Sequence, residues 1–585
     1  MSEKVLELRA VLGQDMKAAF ISNAWTTLNN QRQEKISQWL ELRNYIFATD
    51  TRTTSNSSLP WKNSTTTPKL CQIRDNLHSN YLAAMFPNDD WLQWEAATAE
   101  DAEITKARTI KAYISNKLRQ SHFRTEISKL LYDYIDYGNA FATVVFENSS
   151  KIDESGEKIP NYIGPRIQRI SPLDIVFNPM ATDITKTYKI VRSVKTIGEI
   201  RKLAQQEPEQ SFWSAAINRR DLIRNMIGAG LQLEDFNKAV GYQVDGFGSM
   251  FEYYMGNTME VLEFFGDYND EATNTLESDR IITVVDRSFT ARDVVSPTWF
   301  GHIPIYHVGW RFRQDNLWAM GPLDNLVGMQ YRIDHLENLK ADAMDLVVLP
   351  PLKIRGDVEA FNWGPAAEIH FDEGGDVQPM SADMNSIIVA DNNIKELEEK
   401  MELYAGAPRQ AMGIRTPGEK TAFEVQTLEN AAGRIFQEKS SNFEIELMEP
   451  SLNAMLESAK RNMDGSDVIR VLDKDLGVVE FMTITKADIV STGKLRPIGA
   501  RHFAKQSQDM QNLVGILGGP IGQIIKPHIS AKALANFVSN VVDLSSYQIF
   551  RPNVAVEEMA ETQSLSQQAQ EDLQTQQQMP GNPEI

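Results

Sequence analysis

Between Pro322 and the pair Pro350–Pro351 the chain carries one long apolar stripe with no proline inside it. Leu326, Ile333, Leu336, Leu339, Ala343 and Leu346 recur at helical spacing. Pro322 suits a first helical turn, and Pro350–Pro351 cannot continue a helix. A helix over 321–349 is a rod of roughly 40 Å at 1.5 Å per residue. A second helical pattern, "NIKELEEKMELYA", places Ile394, Leu397, Met401 and Tyr404 on one side. Between the two, residues 351–385 read as short strands and turns, with Gly356, Gly364 and Gly374–Gly375 supplying the turns. The expectation is an antiparallel helical hairpin with a small β module at its tip. The module's apolar residues (Leu352, Ile354, Val358, Phe361, Trp363, Ile369) are too few for a core of their own. Burial against a neighbouring copy would complete them, and a head-to-tail contact of that kind closes into a ring if the rotation suits. The alternative is an ordinary hairpin packed on its own chain.

After the second rod comes "GAPRQAMGIRTPGEKTAFEV", Gly406 to Val425. Three glycines widen the backbone's choices, and Pro408 and Pro417 restrict their own. Thr421-Ala-Phe-Glu424 has the form of a capping box, which gives the following helix a firm start and confines mobility to the loop before it. That helix is expected from Thr421 to about Met463, bent at Pro450. Arg409, Arg415 and Lys420 stand beside its N-terminus, itself favourable to anions. The loop reads either as a basic collar for phosphate or as a solvated connector whose cations pair with nearby glutamates.

The rest of the 585 residues is too much for one core. Residues 2–48 read as helices with a stripe through Leu28, Ile36, Leu40 and Ile46. The Ser/Thr/Asn-rich run 49–69 reads as an extended surface loop. Helices follow over 73–86 and 100–137, then strands beginning with "NAFATVVFE" and dominating to about 310, with a helical patch at 197–240. Beyond the long helix, "VIRVLDKDLGVVEFMTITKADIV" reads as strands that rejoin the first region's sheet. Residues 500–545 read as helices, and the Gln-rich end has little to bury and reads as disordered. The fold class is α+β, mainly helical.

Composition narrows the function. The net charge of −20 argues against tight nucleic-acid binding, because phosphate contacts supply most of such affinity. It leaves room for a surface that lets DNA pass without gripping it. One cysteine, Cys71, excludes a disulfide framework and a Cys-based zinc site, and fits a reducing cytoplasm. "LVGILGGPIGQII" is too short and broken to span a bilayer, and "MSEKVLELRA" lacks a signal-peptide core, so no membrane partner is expected. No phosphate loop or H-E-x-x-H is present, and "STGKL" lacks the loop's spacing. His302 and His307 lie on opposite faces of a strand-like segment. Asp89–Asp90 and Asp372–Glu373 read as solvated turns before cation ligands. Nothing points to catalysis, to a metal or to a cofactor.

Five stretches, in this order, resemble the portal (head-to-tail connector) proteins of tailed double-stranded DNA bacteriophages, most like the short-tailed group. "NYLAAMFPNDDWLQWE" resembles the family's helix ending in a Phe-Pro turn, and "YIDYGNAFATVVF" its Gly-Asn step into the first strand. "RISPLDIVFNP" resembles its Ser-Pro-x-Asp lead into a strand, and "WRFRQDNLWAMGPLDNL" the approach to its first stem helix. "GAPRQAMGIRTPGEKTAFEV" resembles its tunnel loop and the helix behind it. Together they cover roughly residues 80 to 500.

The resemblance implies a cyclic oligomer of about twelve copies around a channel at one capsid vertex. The host bacterial cytoplasm would be the place of assembly and the virion the destination. It implies an α/β wing (1–310), a first stem helix (311–350), a clip (351–385), a second stem helix (386–405), a tunnel loop (406–420), a long helix with strands rejoining the wing (421–500), a helical crown (501–550) and a Gln-rich tail (551–585). Arg409, Gln410, Met412, Arg415 and Lys420 would face the DNA. Lys353, Arg355, Asp357, Glu359, Phe361 and Trp363 would form the clip's docking surface. Leu326, Ile333, Leu336, Leu339, Ile394, Leu397 and Met401 would pack the stem. The partners implied are double-stranded DNA read without sequence specificity, the terminase that is the packaging ATPase, tail adaptor proteins, and the major capsid and scaffolding proteins. Chemical energy would come from the ATPase, so no catalytic residues are required here. Another virion structural component, such as a tail adaptor or scaffold, is the first rival. A metal-dependent hydrolase is the second.

Overall fold

The computed structural model describes residues 15–47, 63, 65–87, 91–97, 104–152, 158–206, 212–228, 249–270, 274–296, 304–356, 370, 375–380, 384–406, 435–463, 466–472 and 479–497. The chain divides into two units, one of 1–83, 94–467 and 484–496, the other of 84–93, 468–483 and 497–585.

The first unit is built on a five-stranded sheet covered on both faces. Its strands β3 (Ile175–Phe177), β4 (Lys189–Thr196), β5 (Thr258–Asp270), β6 (Thr275–Val285) and β7 (Phe289–Val295) lie in sequence order as an antiparallel meander. Alternation along β5 explains the two faces. Leu262 and Phe264 join Ile21 and Trp25 of α1 (Met16–Gln31). Met259 and Val261 point the other way, to Ile200 of α6 (Ile197–Gln206) and Trp213 of α7 (Phe212–Gly228). Phe264 is fully buried, so truncation to alanine costs about 3–5 kcal/mol.

A second antiparallel sheet sets β1 (Asn139–Ile152) between β2 (Lys158–Ile170) and β8 (Ile305–Gly309). Trp39, Phe141, Phe177, Ile305 and Trp318 fill the space between this sheet and the first. Trp39 belongs to α2 (Gln33–Ile46), which follows α1 after a break at Arg32. At that break the buried Arg32 guanidinium donates to the carbonyls of Pro172 (2.6 Å) and Ile175 (2.8 Å) and to that of Leu173. The expected stripe holds at Ile46 and fails at Leu40, which is exposed. α3 (Lys69–Met85), α4 (Ile104–Gln120) and α5 (Phe123–Asp136) follow as expected in kind.

Helix predominates among the described residues and the class is α+β. The strand pairings of both sheets are antiparallel, joined in the larger one by sequential connections that need no crossover helix.

Three further expectations change. Residues 311–320 are a β-hairpin (Arg311–Arg313 with Asn316–Met320), and the first rod begins only at Val327, after a 3-10 turn at Asp324–Leu326. Pro322 therefore precedes the helix and does not sit in its first turn. Strands β11 (Ser466–Leu472) and β12 (Val479–Thr485) pair with each other in a two-stranded sheet and, among the described residues, do not extend either larger one. The long helix is observed over 435–462, interrupted by a π turn at Glu444–Met448 directly before Pro450. Pro450 has no N–H for the Glu446 carbonyl and its ring crowds that oxygen, so the helix widens by one residue there. In the second unit, Phe86 and Trp91 meet edge to face at 4.9 Å across the Phe-Pro turn. The residues expected to form a crown (501–550), the Gln-rich tail and residues 421–434 lie outside the described residues.

Candidate functional site

The expected hairpin is present. It is α8 (Val327–Val348) and α9 (Met384–Tyr404), packed together, with β9 (Leu352–Arg355) and β10 (Asp376–Pro379) between them in sequence. β9 and β10 pair antiparallel, Leu352 opposite Pro379 and Arg355 opposite Asp376. At 1.5 Å per residue each rod is roughly 32 Å long. Leu326, Ile333, Leu336, Ile394 and Met401 are buried, while Leu339 and Leu397 are half-buried. Lys340 reaches Asp391 across the pair at 3.4 Å, an exposed link of small worth.

The base of the hairpin is fixed by backbone contact. Gly138 has φ +69°, a left-handed conformation that favours glycine. Next to it, the buried Asn139 side chain joins three segments. Its Oδ1 accepts from the Ala319 N–H (3.0 Å) and lies 3.0 Å from His307 Nε2. Its Nδ2 donates to the carbonyls of Tyr137 (2.8 Å) and Ala319 (3.1 Å). His307 stacks on Phe141 at 4.3 Å, and desolvation together with the Lys189 charge lowers its pKa, so the ring stays neutral. It packs; it is not placed as a ligand.

One side of α8 is polar and nevertheless buried. Gln330, Asp334, Asn338 and Asp342 recur every four residues and grip the main chain of the run that precedes α3. Asp342 Oδ1 accepts from Asn63 N–H (2.7 Å), Asn338 Oδ1 from Thr65 N–H (2.8 Å) and Asp334 Oδ1 from Thr67 N–H (2.8 Å). Asn338 Nδ2 donates to the Thr65 carbonyl (3.1 Å), and Gln330 Nε2 to the Thr67 carbonyl (2.7 Å). The match is geometric. Four helical residues rise 6.0 Å, and two extended residues advance about 6.7 Å. The mismatch of about 0.7 Å per rung limits such a ladder to a few rungs, and at the last one Asn63 is shared between Asp342 and Asp345 (3.0 Å). The expectation of a surface loop over 49–69 is thereby corrected for its described part: the chain is extended, but Thr66 is buried and the segment is strapped to α8.

The strap ends in an ion pair. Lys69 Nζ lies 2.6 Å from Glu402 Oε1 of α9, with both side chains almost wholly buried. Leu70 N–H donates to Gln330 Oε1 (3.2 Å). Burial drives the Asp334 carboxyl up to about 6 against the lowering from the Thr67 N–H and Gln330. Its Oδ2 is buried without a hydrogen-bond partner among the described residues.

Of the predicted site residues, Lys353 and Arg355 stand exposed on β9. Asp357, Glu359, Phe361 and Trp363 lie outside the described residues, as do Arg409, Gln410, Met412, Arg415 and Lys420. The described chain reaches Gly406, at φ +73°, just beyond α9. Sequence reasoning missed the strap. The signal was there: polar residues at four-residue spacing, on a helix whose neighbouring run is rich in threonine.

Among the described residues, no group of three or more His, Cys, Asp or Glu is placed to hold a metal ion. Among the same residues no helix is long and apolar enough to cross a membrane. Burial, first, pushes the Cys71 thiol pKa up, away from a reactive thiolate. No protein-family model matches the chain, and no curated protein matches it.

Proposed function

We propose that the chain is the subunit of a phage portal: a ring of about twelve copies at one capsid vertex, through which double-stranded DNA is packaged and later ejected. In this reading α8 and α9 are the stem and β9–β10 the root of the clip. The loop at 406–420 is a soft basic collar, with Arg409, Arg415 and Lys420 inward. The chain's remaining acidic charge repels the duplex, so DNA is centred and not held. The clip receives the packaging ATPase first and tail adaptors later, while scaffolding and capsid proteins meet the wing. The role is non-enzymatic.

One observation carries this reading. The ribbon end of the hairpin leaves large apolar side chains in solvent at the end of α8, on β9, just after β10 and in the first turns of α9. Val348 and Leu349 are 74% and 67% exposed, Ile354 and Met380 53% and 58%, Ile388 and Val389 58% and 60%. Six such residues at one tip mark a contact surface, and a second copy offering the same tip region in a head-to-tail ring would cover them.

Deleting Arg409–Gly418 tests the function itself. The expected result is intact assembly with impaired packaging or DNA retention. Loss of assembly with normal packaging by any surviving particles would contradict it.

A further inference from the structure

The rungs on α8 bind main chain and not side chains, so they place little demand on the strap's sequence. Every group they pair is one that water serves equally well when the strap leaves. Polar contacts of this kind open reversibly, where an apolar strap would leave a sticky groove behind. What singles out the closed position is the strap's end, where Lys69 meets Glu402 at 2.6 Å and Leu70 meets Gln330. That end is also the start of α3, which is tied onward by Arg74 to Asp136 of α5 (2.6 and 2.7 Å) and by His78 to Ser128.

We infer that Asn63 and residues 65–70 belong to a releasable strap whose catch is the Lys69–Glu402 pair, coupling the α8–α9 hairpin to α3 and α5 when closed and freeing the hairpin when open. The closed strap joins α8 through the ladder and α9 through Glu402, and it runs into α3, which Arg74 ties to α5. Opening it removes the connection from both hairpin helices at once. Its effect on a channel's bore rests on the portal reading; the strap itself concerns one chain and does not.

Hydrogen–deuterium exchange on the full chain at neutral pH tests it. Lys69→Met alone takes the Lys69 charge from the buried Glu402 carboxylate, so the informative protein is the double variant Lys69→Met with Glu402→Gln, which removes both charges of the catch together. The expected result is exchange at least tenfold faster in peptides covering 63–70 than in the wild type, with peptides from β5 and β6 unchanged. Wild-type exchange at 63–70 in the double variant would overturn the catch. Faster exchange spread through β5 and β6 would overturn the strap as a local device. Asn338→Asp keeps the acceptor for Thr65 N–H but sets a carboxylate against the Thr65 carbonyl. It is expected to speed the same peptides, and no change there would overturn the ladder's part. None of these outcomes depends on whether rings form.

Discussion

Gly138 and Gly321 cross so closely that a Cβ added to Gly138 would lie 2.3 Å from the Gly321 nitrogen. A Cβ on Gly321 would in turn come within 2.8 Å of the Ile135 carbonyl oxygen. The turn from α5 into β1 and the approach to α8 are thus locked backbone to backbone. Gly138→Ala meets both the clash and the positive φ, and is expected to lower stability by about 2 kcal/mol or more. Chemical denaturation checks it; an unchanged midpoint would show that the crossing yields easily.

Asn139→Ala removes four hydrogen bonds at once and strands the Ala319 N–H and carbonyl in a buried place. A loss of roughly 2–4 kcal/mol is expected. Asn139→Asp keeps the acceptor but loses the donors, and should be no better. Denaturation midpoints of the two variants test this, and an alanine variant as stable as the wild type would contradict it.

Asp334 gives a pH signature. Its folded pKa of about 6 lies above the ordinary 3.8, with burial the first cause. A raised folded pKa means that the folded state holds the proton more tightly. The carboxyl's stabilising contribution is therefore full below about pH 4 and is lost as pH rises through about 6. Relative to Asp334→Asn, the wild type should gain stability when pH falls from 7 to 5, by at most about 3 kcal/mol across the whole window. Paired denaturation curves at the two pH values measure it. A wild type that loses ground to the variant on acidification would reverse the sign and refute the assignment.

Much of the hairpin was legible because its signals are local. Prolines at 350–351 end a helix wherever they fall, and Ile333, Leu336, Ile394 and Met401 repeat at a period that only a helix buries on one side. The start at Val327 was not legible, since nothing in "WRFRQDNLWAM" separates a tight β-hairpin from a helical approach until Asn316 is seen pairing with Arg313. The strap was hidden for a different reason. Gln330, Asp334, Asn338 and Asp342 have the look of a solvated face, and only their distant partners at 63–67 make that face an interior one. The partners of β11 and β12 were misjudged for the same cause: strand periodicity tells which face is apolar and not which neighbour is chosen.

The exposed tip offers a direct perturbation of assembly. Val348→Asp combined with Ile388→Lys changes two side chains that bury little within their own chain. Thermal stability should hold within a few degrees, while the particle seen by size-exclusion chromatography with light scattering should shrink from an oligomer to smaller species. An oligomer unaffected by both charges would place the interface elsewhere.

Electron microscopy of the purified full chain tests the central claim most directly. The account predicts rings of about twelve subunits with a central hole wide enough for a DNA duplex, and with Arg409 and Arg415 on its inner wall. Compact monomers, or rings that carry those arginines on the outer rim, would contradict it.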